Sequence, residues 1–83
     1  MFLRIIQLRV READEAAFTR FYEERVIPAL DATPGCIYAG LLAPWRGEAH
    51  QSLTIWDSPA SARAYEEKGL YHRLLAEEAP FLS

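Results

Sequence analysis

The side chains able to do chemistry are few and scattered. His50 and His72 stand on different stretches, and neither has a carboxylate at metal-ligand spacing, so no metal site is expected. Cys36 is the only cysteine, which rules out an intrachain disulfide. Placed just after Thr33-Pro34-Gly35, it reads as a small buried apolar residue rather than a nucleophile. Gly35, Gly40, Gly47 and Gly69 are too far apart to cradle a phosphate. What remains is a set of donors: His50, Ser52, Tyr65 and Arg73. Preorganised donors of this kind can stabilise an anion developing on a substrate. The competing reading makes Trp56 and Tyr65 core residues, Ser52 a strand filler and Arg73 a solvated cation. It is preferred, because no acid–base pair stands out along the chain.

The elements that must position these residues follow from periodicity and capping. Residues 2–11 alternate, with Ile6, Leu8 and Val10 on one face and Ile5, Gln7 and Arg9 on the other, as in a strand with one apolar side. Asp14 is a candidate helix N-cap, with Glu15 in the first turn. Phe18, Phe21, Tyr22, Val26, Ala29 and Leu30 then recur at helical spacing. Pro28 cannot donate to the carbonyl of Glu24 and predicts a kink, and Thr33-Pro34-Gly35 ends the helix. CIYAGLLAP (36–44) and AHQSLTIW (49–56) read as strands joined around Gly47. Leu53 and Ile55 fall on one face of the latter, with Ser52, Thr54 and Trp56 on the other. Ser58 and Pro59 are a helix N-cap and first position; that helix falters at Gly69, resumes with Leu70, Tyr71, Leu74 and Leu75, and closes at Pro80.

This β-α-β-β-α order predicts one α+β domain over residues 1–83, a ferredoxin-like antiparallel sheet with two helices on one face. The opposite face, carrying Gln7, Arg9, Tyr38, Leu42, Ser52, Thr54 and Trp56 by this alternation, is too mixed for a core, yet its aromatics call for cover by a partner subunit. Trp56 has a second possible place, because a ring directly before the Asp57-Ser58-Pro59 cap can wedge strand against helix inside the domain. The edge of residues 2–11 requires cover as well, from a partner's strand or from Phe81-Leu82 folded back.

Composition narrows the partners. With 51% hydrophobic and 25% charged residues, the chain has the balance of a globular domain rather than a disordered one. At 83 residues the core is thin, and association is a common source of extra stability. A net charge of −3, with Arg9 and Arg11 followed at once by Glu12, Asp14 and Glu15, argues against nucleic acid and against an anionic membrane surface. Met1 to Val10 is too short to span a bilayer, and the expected location is cytoplasmic.

Three stretches, FTRFYEERVIPALDATPG, LTIWDSPASARAY and KGLYHRLL, resemble in order and spacing the antibiotic biosynthesis monooxygenase family of the dimeric α/β-barrel superfamily. The resemblance covers about residues 2–76, and the family's usual fourth strand has no counterpart before Ser83. It implies a homodimer and cofactor-independent oxidation of a small aromatic or quinol-type substrate by molecular oxygen, with no metal or flavin. The site residues it implies are Trp56, Ser52, Tyr65 and Arg73 as catalytic groups, with His50 and Tyr71 as ligand contacts. Ser52 stands where the quinol-oxidising relatives carry Asn. The Asn, Trp and His of the haem-degrading relatives fall near Ile5, Tyr65 and Leu75, which cannot reproduce that triad, so haem is not expected. The alternative is a non-catalytic dimerisation or small-ligand-binding domain of the same fold. Oxygenation requires a closed pocket between sheet and helices lined by Trp56, Tyr65 and at least one of Ser52, His50 or Arg73.

Overall fold

The computed structural model describes residues 1–83. Strands β1 (Phe2–Arg9), β2 (Cys36–Leu42) and β3 (Ala49–Trp56) form an antiparallel sheet in the order β1-β3-β2, so β3 is central and both other strands are edges. The first helical stretch runs from α1 (Glu15–Phe21) through a π-helical turn at Tyr22–Val26 into α2 (Ile27–Asp31). The second is α3 (Pro59–Glu67) and α4 (Leu70–Glu78), hinged at Gly69. Gly69 has φ +89°, a left-handed backbone that favours glycine. The result is an α+β protein compatible with a ferredoxin-like arrangement. No helix is long and apolar enough to cross a membrane.

Local chemistry explains most boundaries. Ser58 is an N-cap in extended conformation whose hydroxyl accepts from the Ser61 N–H at 3.2 Å, and Pro59 follows at the first helical position. Asp14 stands at the cap position of α1 but makes no cap bond, because its carboxylate is taken by Arg11 Nε at 2.8 Å. Ahead of Pro28 the helix widens into the π turn, where the Ile27 N–H bonds back to the Tyr22 carbonyl. The second strand stops at Leu42, short of Pro44, whose ring has no N–H to give a ladder.

The core lies between the helices and one sheet face. Phe18, Tyr22, Val26 and Leu30 pack from the first helical stretch and Ala62, Tyr65 and Leu74 from the second, against Leu8, Val10, Ala39 and Trp56 of the sheet. The expected inward set of β1 is correct, but the faces of β3 are the reverse of those expected. His50, Thr54 and Trp56 are buried toward the helices, and Leu53 and Ile55 turn outward. Inside, the polar side chains of β3 find partners. Trp56 Nε1 donates to Thr54 Oγ1 at 2.9 Å, and the Ser52 and Tyr22 hydroxyls meet at 2.6 Å. The small polar side chains of β3 are therefore satisfied inside, where alternation by hydrophobicity would not put them.

The outer face is consequently more apolar than expected. Pairing aligns Leu3–Ile55–Tyr38, then Ile5–Leu53–Gly40, then Gln7–Gln51–Leu42 across the three strands. The Tyr38 ring lies over Gly40, where an added Cβ would stand 2.5 Å from its hydroxyl oxygen. Leu3, Ile5, Tyr38 and Leu42 are each about half exposed, and no helix covers them. At the far end of β1, Leu82 bridges Val10 antiparallel and the Ser83 N–H donates to the Arg9 carbonyl at 2.8 Å. The C-terminal residues do fold back on this edge, over its last residues only.

Candidate functional site

The interior offers one place where ionisable groups converge, the space between the inner sheet face and the helices. Ile6 and Leu8 of β1, Val26 and Leu30 of the first helical stretch, and Leu74 and Leu75 of α4 give it apolar walls. Its polar groups are Arg4, Ser52, Thr54, Tyr65, Tyr71 and Glu78. The cavity measures about 20 Å³, which holds about one water molecule and no aromatic ring. Beyond Tyr65 lies a larger cleft of about 220 Å³, bordered by Thr33, Pro34, Ser61, Ala64 and Lys68. Leu70 lines the cleft as well, and Tyr65 lines both spaces.

Glu78 is the residue that sequence reasoning missed. It is 6% exposed, and desolvation is the one influence on its carboxyl. Burial alone pushes its pKa from 4.5 up to about 7. The signal was present in its spacing: Tyr71, Leu74, Leu75 and Glu78 share one helical face, so a carboxyl sits on an apolar stripe. Tyr22 was likewise counted only as core. Its hydroxyl meets Ser52 Oγ at 2.6 Å and lies 3.2 Å from the Gly40 carbonyl, and burial raises its pKa to about 12.

The residues singled out by sequence separate into groups. Ser52, Tyr65 and Tyr71 line the cavity together. Burial raises the Tyr65 hydroxyl pKa far above its ordinary value, so it stays a neutral donor. Arg4 lies 4.3 Å above the Tyr71 ring and is ion-paired to Glu66. Trp56 is fully buried and stacks behind Tyr65 at 5.1 Å between ring centroids, without reaching the cavity. The closed pocket expected between sheet and helices is present only as this cavity of about 20 Å³, with Trp56 outside its lining.

His50 and Arg73 lie elsewhere. His50 is buried near the start of α1, edge-on to Phe18, with Nδ1 3.1 Å from the Glu48 carbonyl. Its Nε2 has no hydrogen-bond partner, and the nearest carboxylate oxygen, of Glu15, is 3.8 Å away. Arg73 is exposed on α4, outside the cavity. Cys36 is partly buried, and burial raises its thiol pKa, which keeps it protonated. No three His, Cys, Asp or Glu side chains gather closely enough to hold a metal ion.

What the assembled groups can do is limited and specific. A carboxyl poised near neutrality can take or give a proton, and the neighbouring hydroxyls can donate to an anion. Compared with protein-family models the chain matches none, and no curated protein matches it.

Proposed function

We propose that this chain is a self-pairing domain of the ferredoxin-like, dimeric α/β-barrel type, acting as a dimerisation and small-ligand-binding unit. The observation that carries this reading is the outer sheet face. Leu3, Ile5, Leu53, Ile55, Tyr38 and Leu42 make a contiguous apolar surface from all three strands. Patches of this kind on small domains mark association surfaces. A stable interface buries at least about 1,000 Å² in total, or about 500 Å² from each copy. That is roughly a tenth of the 5176 Å² accessible surface, an area a three-stranded face can supply. Two copies meeting by this face would bury the same patch on each, an isologous contact that closes on itself. Light scattering at micromolar concentration should give twice the 9.5 kDa chain mass, and Leu53→Lys at the centre of the face should give the single mass. A wild-type monomer refutes the proposal.

A second reading, cofactor-independent oxidation of a phenol or quinol by molecular oxygen, is favoured by one observation. Glu78 lines the cavity beside the Tyr65, Tyr22 and Ser52 hydroxyls and is poised to accept a substrate proton near neutral pH. Such a substrate would have to displace Tyr65 and open the 220 Å³ cleft inward. Oxygen uptake with a hydroquinone, without metal or flavin and lost in Glu78→Gln, supports it. Wild-type uptake no faster than the buffer background leaves the binding role alone.

A further inference from the structure

The last turn of α4 carries the buried Glu78, and the residues directly after it close on β1. Ala79–Phe81 form a 3-10 turn, and Leu82 then bridges Val10. Arg11 N–H donates to the Phe81 carbonyl at 3.3 Å, and its guanidinium holds the carbonyls of Pro80 and Leu82. The Phe81 ring stands 5.8 Å from Phe18 and 5.4 Å from Phe21. The tail is thus held by β1 and α1 at one end and by the geometry of the Glu78 turn at the other.

Desolvation is the one influence on the Glu78 carboxyl, and it favours the neutral form. Burial keeps Tyr22 from the π turn and Tyr65 from α3 neutral, and Ser52 and Thr54 from β3 and Tyr71 from α4 bring their side chains to the same space. Arg4, from β1, is the one cation lining the cavity, and it is committed to Glu66 and stacked on Tyr71. Arg25 and Glu77 pair with each other outside the cavity. The C-terminal end of α4 also presents its carbonyl groups, which repel an anion.

We propose that Glu78 is a proton-operated latch: neutral and buried, it holds residues 79–83 on β1, and ionised, it draws the last turn of α4 into water and releases them. Since burial places its pKa at about 7, against 4.5 when solvated, the latch works around neutral pH. Release exposes a pairing edge. The Val10 N–H donates to Glu48 beside β3, so by strand alternation the odd-numbered residues direct their backbone groups to the open side. Leu3, Ile5 and Gln7 already face it, and release adds Arg9 and Arg11, lengthening the edge available to an extended chain. The inference concerns the edge of the sheet and does not rest on self-pairing through its outer face.

The test is amide hydrogen exchange on the full chain between pH 5 and 9, with protection corrected for intrinsic rates. Opening at Arg11 and Ser83 should rise roughly 75-fold over that range, from a carboxyl at about 7 when docked and 4.5 when released. It should stay flat in Glu78→Gln. Protection at Leu53, in the central strand, should exceed that of the tail throughout. Tail opening that ignores pH overturns the proposal, and so does equal protection at Leu53 and Ser83, which means that the whole domain opens together. A carbon-13 titration of the wild-type Glu78 carboxyl adds a check that needs no variant: a midpoint near 7 supports the latch, and one in the ordinary carboxylate range overturns it.

Discussion

Replacing Trp56 by alanine tests the packing on which the interior depends. The indole is fully buried, donates to Thr54 Oγ1 at 2.9 Å, and stacks on Tyr65 at 5.1 Å. Removing a buried Trp costs about 3–5 kcal/mol, which includes lost burial and the void left behind. The Thr54 hydroxyl also loses its partner in the interior. At roughly 0.05–0.15 kcal/mol per residue, a domain of 83 residues has a total stability of about 4–12 kcal/mol, so the loss is a large share of it. Each kcal/mol moves the melting temperature of such a domain by about 4–8 °C. Trp56→Ala should therefore melt at least about 12 °C below wild type, or fail to fold. Trp45 is 93% exposed in the β2–β3 connection, and Trp45→Ala should change stability by no more than about 0.5 kcal/mol. Circular dichroism melts of the three proteins at one pH are sufficient. Equal melting temperatures for the two variants would refute the packing, and would restore Trp56 to the outer face where alternation alone puts it.

Two further outcomes are expected. Global stability should fall as pH rises from about 4.5 to 7 and level off above, because folded Glu78 keeps its proton where the unfolded chain has lost it; Glu78→Gln should remove that slope and gain up to about 3 kcal/mol at pH 8, read by urea titration. Tyr22→Phe removes the hydroxyl that meets Ser52 and the Gly40 carbonyl, and should destabilise by about 1–2 kcal/mol in the same assay, with a shift under 0.3 kcal/mol meaning that the pair contributes nothing.

Element order was legible in the sequence because its punctuation is strong. Ser58-Pro59, Thr33-Pro34-Gly35 and Gly69 each act through their own backbone chemistry, whatever the rest of the chain does. The faces of β3 were not legible, since Leu53 and Ile55 carry the hydrophobicity while Thr54 and Trp56 take the buried positions, Trp56 against Tyr65. A local pattern cannot weigh a hydroxyl pair such as Ser52 and Tyr22, 30 residues apart. The candidate site was half legible. Ser52, Tyr65 and Tyr71 do converge, but Glu78 was hidden among residues read as a helix end. His50 and Arg73 share elements with the cavity residues but not their space.

The π turn at Tyr22–Val26 also solves a problem of phase. Phe18, Tyr22, Val26 and Leu30 follow one another at intervals of four and are all buried. In a regular α-helix each residue advances about 100°, so four residues overshoot a full turn by about 40°. Three such intervals would rotate Leu30 about 120° away from Phe18, off the sheet and toward water. A turn that closes its hydrogen bond over five residues advances less per residue and winds part of that drift back. The widened turn works as a vernier between two periods, keeping a stripe spaced by fours in line along the whole first helical stretch. Pro28, read from sequence as a fault in the helix, sits directly after the turn that performs this correction.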